Sequence, residues 1–350
     1  RASWAWPTFS PGIARPGLRN LITDVPGLKV GQAHDARVRS GVTVILPDAR
    51  AVAACDVRGG GPGTRETDAL DPHNLVDAID AVVLSGGSVY GLAAPDGVTA
   101  WLGAQGRGYG LVANAAVPPS PVVPAAILFD LANGGDKAWG EDPPYRALGR
   151  QAALAASADF ELGTAGAGYG AMAGRLKGGV GSASAVTADG FAVGAVVAVN
   201  SFGSVVAPGG RTFWAAPYEM DGEFGGLGAG GLVGAGDDWG LAKADPQART
   251  NTTIACVATD AVLTPAQARR VAVMAQDGLA RAIRPVHAPF DGDVVFALST
   301  AKQPLGARPD FQIARLGALA ADVLARAVAR GVYAATPWPD AAIPCWRDPA

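Results

Sequence analysis

Asn251-Thr252-Thr253, within the stretch TNTTIACVATD at 250–260, sets a threonine hydroxyl directly against a short apolar run. A threonine that becomes the first residue of a chain carries its own base. Its α-amine, with a pKa of about 7.7–8.0, is partly unprotonated near neutral pH and can take the hydroxyl proton. A cut between Asn251 and Thr252 would create that group at the start of a strand, on a rigid element. The plainer reading of Asn-Thr is a turn feeding a strand, and these residues alone leave both open. Downstream, Asp291-Gly292-Asp293 places two carboxylates where a strand begins, so their side chains can share one face. Such a pair could hold an ammonium or a threonine hydroxyl, and mutual repulsion would perturb its titration. Asp and Gly are also ordinary turn residues. Asn200, closing the apolar run AVGAVVAVN, offers an amide to a developing oxyanion, or simply ends a strand.

Histidine-based machinery finds no support. His34, His73 and His287 show no ligand spacing, and no G-x-S-x-G elbow, HExxH or Walker A pattern occurs. Each histidine is read as structural or surface. Cys55, Cys256 and Cys345 are odd in number and contain no CxxC pair, so neither a disulfide framework nor structural zinc is expected. A reducing, cytoplasmic location fits better, and no cofactor is expected. A net charge of −3, a pI of 5.6 and the lack of a long Lys/Arg run argue against nucleic acid and anionic membranes as partners. The apolar segments are too short to span a bilayer. The chain begins at Arg1 rather than Met, which suggests a missing or processed N-terminus, and RASWAWPTFSPGIARPG lacks a signal-peptide pattern.

These side chains need a scaffold. With 350 residues, 49% hydrophobic, and a mean hydropathy of +0.20, the chain can bury a large core. Its 48 glycines, with much Ala and Val, suggest closely packed sheet and helix layers. Residues 1–20 read as an irregular arm. GVTVILPDARAVAACDVRGG predicts a hairpin turning at Pro47–Arg50, and Ala81 to Leu84 a buried strand. A glycine turn then leads into a helix from about Ser88 that Pro95 bends or splits. A second hairpin turns at Asp189-Gly190. From Ser201 to Arg249 periodicity fades into a Gly-rich stretch, read as functional loop or linker. Its match to G-x-G-x-x-G, Gly226 to Gly231, lacks the flanking strand and helix of a dinucleotide site. Order returns with a strand at TTIACVAT and a helix from Pro265 to Ile283, opened by Thr264 and Gln267 as a capping box. The strand DVVFALST and a helix stopped at Gly331 follow.

Together these pieces resemble the self-processing N-terminal-nucleophile aminopeptidases and amidases. That family includes L-aminopeptidase/D-esterase, the β-peptidyl aminopeptidases and the 6-aminohexanoate (nylon) oligomer hydrolases. RNLITDVPGLKVGQAH at 19–34, LSGGSVYGLAAPDGV at 84–98, and the long block from NTTIACVATD to PFDGDVVFAL carry the resemblance across almost the whole chain. It implies an α+β fold, a single four-layer αββα sandwich resembling the ornithine acetyltransferase arrangement. It implies autocleavage at Asn251–Thr252 into pieces 1–251 and 252–350 that stay in one folded unit, and a homo-oligomer, often a tetramer. By position, Thr252 would be the nucleophile, its freed amine the base and Asn200 the oxyanion donor. Lys177, in MAGRLKGGVG, matches a site lysine of the nylon-oligomer branch, as Asp291 and Asp293 match its paired aspartates. Phe129 stands where relatives carry a site tyrosine.

The expected activity is hydrolysis of a small amide or peptide through an acyl-Thr252 intermediate. An acyltransferase passing the same acyl group to an amine, and an uncleaved binding relative, are the competing readings. A nylon oligomer, a β-peptide, a D-amino-acid amide or an ordinary peptide could each acylate Thr252.

Overall fold

The structure, a computed structural model, describes residues 12–230, 232, 236–244 and 251–349. The N-terminal arm through residue 11, Gly231 of the glycine motif and residues 245–250 before the expected cut lie outside the described residues. The first half contains β1 (Leu28–Asp35), β2 (Ser40–Pro47), β3 (Val52–Val57), β4 (Thr64–Arg65), β5 (Val82–Ser85), α1 (Ala94–Ala104), β6 (Ala125–Ile127) and α2 (Tyr145–Leu154). The second contains β7 (Met172–Ala173), β8 (Leu176–Lys177), β9 (Gly179–Val186), β10 (Ala192–Asn200), β11 (Thr252–Ala261), α3 (Pro265–Ala282), β12 (Val294–Gln303) and α4 (Pro309–Tyr333).

Two sheets form the centre, one in the order β1-β2-β5-β6-β4 and the other in the order β3-β12-β11-β10-β9. Apolar residues alternate along their strands and supply both faces. On β11, Ile254, Cys256 and Ala258 pack between the sheets, while Ala255, Val257 and Ala261 pack toward α3 and α4. The outer face of the first sheet, through Val42, Val44 and Val83, packs on α1 and α2. Three cores therefore separate four layers, α1/α2, sheet, sheet and α3/α4, the αββα sandwich expected.

The capping box forms as predicted. Thr264 Oγ1 accepts from Gln267 N, and Gln267 Oε1 accepts from Thr264 N. The Asp189-Gly190 hairpin pairs β9 with β10. Pro95 does split its helix, into a 3₁₀ turn at Ser88–Ala93 and the α-helix that follows. Two expectations fail. β2 and β3 do not pair with each other: β2 joins β1 and β5, while β3 joins β12. Alternating apolar residues specify burial but not the partner, and with sheets stacked about 10 Å apart a short turn at Pro47–Arg50 can step from one to the other. Nor does Gly331 stop the last helix, which runs on to Tyr333. A glycine is needed there because α4 lies almost on β9. A Cβ at Gly331 would sit 2.7 Å from Gly181 N, and one at Gly181 only 1.7 Å from Ala327 O.

Candidate active site

Sheet topology brings three distant points of the chain together. β11 is the central strand of its sheet, antiparallel to β10 and parallel to β12. The start of β11 therefore lies beside the end of β10 and the approach to β12. In residues, Thr252 pairs across the ladder with Asn200, and Asn251 bridges to Asp291. By strand alternation Thr252 follows Ile254 and Cys256, and Asn200 follows Ala198 and Val196, so both side chains fall on the inter-sheet face.

Around the Asn251–Thr252 peptide the groups are closely fixed. Thr252, 3% exposed, donates its hydroxyl to Asn251 O at 2.5 Å, and the same carbonyl accepts Gly292 N–H at 2.9 Å. A Cβ on Gly292 would lie 2.6 Å from Thr252 Oγ1 and 2.9 Å from Gly61 O, so glycine at this position leaves room for the hydroxyl. Lys243 Nζ donates to Asn251 Oδ1 at 2.8 Å. Asn200 is fastened at both ends of its amide: Oδ1 accepts Met172 N–H and Nδ2 donates to Phe129 O, each at 2.9 Å. Phe129 thus serves Asn200 through its main chain, a role indifferent to whether the side chain is Phe or Tyr.

The two aspartates have separate partners. Asp293 Oδ1 accepts Thr253 N–H at 2.8 Å, while Oδ2 pairs with His287 Nδ1 at 2.8 Å and accepts His287 N–H at 3.1 Å. Asp291 accepts Ala288 N–H at 2.9 Å and a long bond from Phe202 N at 3.4 Å. Burial, reinforced by the Asp293 charge, pushes the Asp291 pKa up to about 6. The backbone after β3 braces this turn, with Arg58 N donating to Asp293 O at 3.0 Å and Gly61 N to Asp291 O at 2.7 Å.

Of the expected site residues, Thr252, Asn200, Asn251, Asp291 and Asp293 converge. Lys177 stands one step back. It pairs with Met172 across the small β7–β8 ribbon, and its Nζ donates to the carbonyls of Gly168, Ala171 and Gly178 at 3.2, 3.1 and 2.8 Å. Burial pulls its pKa down to about 7, while three carbonyl acceptors favour the ammonium form. Lys177 also lies 5.2 Å from the centre of the Trp338 ring. A cavity of about 380 Å³ opens beside Asn200 and Lys243, walled by Phe129, Met172, Trp338 and Ile343. The sequence reading missed Lys243, Gly292 and the contact of His287 with Asp293. Lys243 is a solitary lysine in a glycine-rich run, and only its place in space ties it to Asn251.

With this geometry in hand, comparison with known proteins is decisive. The family model for peptidase family S58 matches residues 20–341. The chain belongs to peptidase family S58. It is similar to an uncharacterized aminopeptidase of Mycobacterium bovis, at 45% identity over 94% of this chain and 97% of that one. It is also similar to a 6-aminohexanoate-oligomer endohydrolase of a Kocuria species, at 28% identity over 90% of this chain and 87% of the other. Among solved structures it resembles the L-aminopeptidase D-Ala-esterase/amidase of Ochrobactrum anthropi, described as a variant of the N-terminal-nucleophile hydrolase fold. That likeness has a TM-score of 0.64 at 21% identity and covers 94% and 91% of the two chains. S58 membership makes this protein a hydrolase of peptide or amide bonds. No helix among the described residues is long and apolar enough to cross a membrane.

Proposed function

We propose that this S58 peptidase activates itself by cutting Asn251–Thr252 and then hydrolyses small amides or peptides through an acyl-Thr252 intermediate. The observation that carries the reading is the Asn251 carbonyl oxygen, held between the Thr252 hydroxyl at 2.5 Å and the Gly292 N–H at 2.9 Å. In the self-cut, a bond forms from Thr252 Oγ to the Asn251 carbonyl carbon and the C–N bond breaks. The hydroxyl proton passes to the leaving nitrogen. Water then opens the ester, leaving an Asn251 carboxylate and a Thr252 that keeps its hydroxyl and gains a free amine.

That amine is the base for substrate turnover, accepting the hydroxyl proton as Oγ attacks and returning it to the leaving amine. Asn200, opposite Thr252, supplies an amide to the tetrahedral oxyanion. Asp293 fixes the start of strand β11 through Thr253 N–H, and Asp291 offers a carboxylate to the new ammonium. Lys177 holds the Gly168–Ala171 turn that carries Met172 against Asn200. The apolar walls of Phe129, Met172, Trp338 and Ile343 suit the carbon skeleton of the acyl group. Relatives named as aminopeptidases and an aminohexanoate-oligomer hydrolase suggest short peptides or linear aminohexanoate oligomers as substrates. A homo-oligomer of processed pairs completes the reading.

Denaturing electrophoresis of the purified chain tests it. Fragments of 99 and 251 residues, about 10 and 25 kDa of the 35.1 kDa chain, are expected, with the small one starting Thr-Thr-Ile. Thr252→Ala should remain intact and inactive on a panel of aminoacyl amides and aminohexanoate dimer and trimer. An uncut wild-type chain whose hydrolysis survives Thr252→Ala would overturn the proposal.

A further inference from the structure

Lys243 lies eight positions before the Asn251–Thr252 bond, on a segment with little regular structure, yet its place is fixed. Its N–H donates to Phe202 O at 3.0 Å, and Leu241 O accepts Arg175 N–H at 2.8 Å. Trp239 meets Phe202 edge-on, with ring centres 5.8 Å apart, and Phe202 meets Phe290 in the same way at 4.6 Å. These contacts tie the segment to the turn that carries Asp291. The Lys243 side chain is thereby delivered to Asn251 Oδ1 at 2.8 Å, with Asp291 as its nearby countercharge. The choice of residue is notable in composition as well. The chain has only five lysines against 23 arginines, and Lys177 and Lys243 both lie at this site. A lysine offers a compact point charge on a flexible stem, which suits a single acceptor such as Oδ1.

The geometry points to Lys243 as a positioning residue for self-cleavage, which fixes the residue on the carbonyl side of the cut. This rests on the reading that the chain cuts itself at Asn251–Thr252. Asn251 is pinned at two points on opposite sides of its Cα–C bond. Gly292 N–H holds the main-chain oxygen and Lys243 holds the side-chain oxygen. Two pins define the rotation about that bond, and that rotation decides whether the carbonyl carbon presents a face to Thr252 Oγ. Without Lys243 the side-chain pin is lost, and the carbonyl is oriented from its main-chain side, by Gly292 N–H and the Thr252 hydroxyl. Freezing one rotation of a reacting group is the kind of ordering that raises intramolecular rates. Lys243 touches neither the bond that forms nor the one that breaks, so its effect is on orientation.

The test is a pulse of cell-free translation of the full chain, followed by the appearance of the two fragments over time. Wild type is compared with Lys243→Met, Asn251→Ala and the double variant, each with a melting curve. Lys243→Met is expected to slow cleavage at least tenfold. Asn251→Ala, which removes the acceptor but keeps the lysine, should slow it comparably. The double variant should be slower than the slower single by no more than about twofold, because both changes break one contact. Should Lys243→Met lose its cooperative melting, Asn251→Ala decides alone: slow cleavage supports the role and wild-type cleavage overturns it. Normal cleavage in a folded Lys243→Met protein, or losses that multiply in the double variant, overturn the role of Lys243 while leaving self-cleavage standing. A wild-type chain that never cuts overturns both.

Discussion

Asn200 and Thr252 face each other across the β10–β11 ladder, and Asn200 is bonded through both ends of its amide to Met172 N and Phe129 O. The amide is thus preoriented by main-chain groups from two other segments rather than by the strand that carries it. Preoriented donors of this kind act on charge that develops in the transition state. Asn200→Ala should therefore lower kcat about 100- to 1,000-fold with a much smaller change in KM. Steady-state kinetics on a fully processed sample separate the two. A loss confined to KM would remove Asn200 from the oxyanion role.

Gly292 gives a steric prediction. An alanine Cβ there would meet Thr252 Oγ1 at 2.6 Å and Gly61 O at 2.9 Å, both closer than such contacts normally come. Gly292→Ala should slow fragment formation while leaving secondary structure intact, because the displaced atoms are the hydroxyl and the turn beside it. Mass spectrometry of the chain after timed incubation, with circular dichroism on the same sample, reads both quantities.

Asp291 gives a prediction in pH. Its pKa is raised to about 6, above the ordinary value near 4, so the folded state holds this proton more tightly than the unfolded one. The stability that Asp291 contributes is then fully present below about pH 4 and is lost as pH rises through about 6. Asparagine at this position does not titrate. In a Thr252→Ala background, which keeps the chain uncut, Asp291→Asn should gain on Asp291 between pH 4 and 7 by about 3 kcal/mol at most. Urea unfolding at several pH values measures the difference, and a gap that narrows with rising pH contradicts the cause given.

Lys177 satisfies three buried carbonyls at once. Lys177→Met keeps the apolar stem but removes one donor from each carbonyl. Gly168 O and Ala171 O keep the N–H groups of Ala171 and Gly178, so the main cost, about 1–3 kcal/mol, falls on Gly178 O. For a chain of 350 residues each kcal/mol moves the melting temperature by about 1–2 °C, so Lys177→Met should melt a few degrees below wild type. Because the Gly168–Ala171 turn carries Met172 to Asn200, turnover should fall too. Normal melting in Lys177→Met would show that Gly178 O does not depend on this donor.

Much of this arrangement is legible in the residues, for a physical reason. Period-two apolar runs and a capping box are local signals, so β9 to β12 and α3 stand out along the chain. Thr252, Asn200, Asp291 and Asp293 stand at strand ends or just before a strand, where polar residues interrupt apolar runs and become visible. What was hidden is what depends on pairing partners. The step of the chain from β2 to β3 between sheets, and the run of α4 through Gly331, are decided by neighbours distant in sequence. Lys243 and His287 were hidden for the same cause. Nothing within a few residues of Lys243 marks it, since its partner is brought near by three aromatic rings. His287 meets Asp293 only because the turn at 288–292 folds back.

β11 is the middle strand of its sheet, with β10 on one side and β12 on the other. A cut at its first peptide bond would separate residues 1–251, which hold β3, β9 and β10, from residues 252–350, which hold β11, β12, α3 and α4. β11 would still be zipped to β10, and β12 to β3, so the backbone would be severed while the sheet stayed whole. Before the cut, unfolding and refolding are events within one molecule. Afterwards two species must find each other again, and recovery from denaturation becomes a second-order process that fails on dilution. Maturation of this kind converts a protein that can refold into one whose shape is inherited from its precursor.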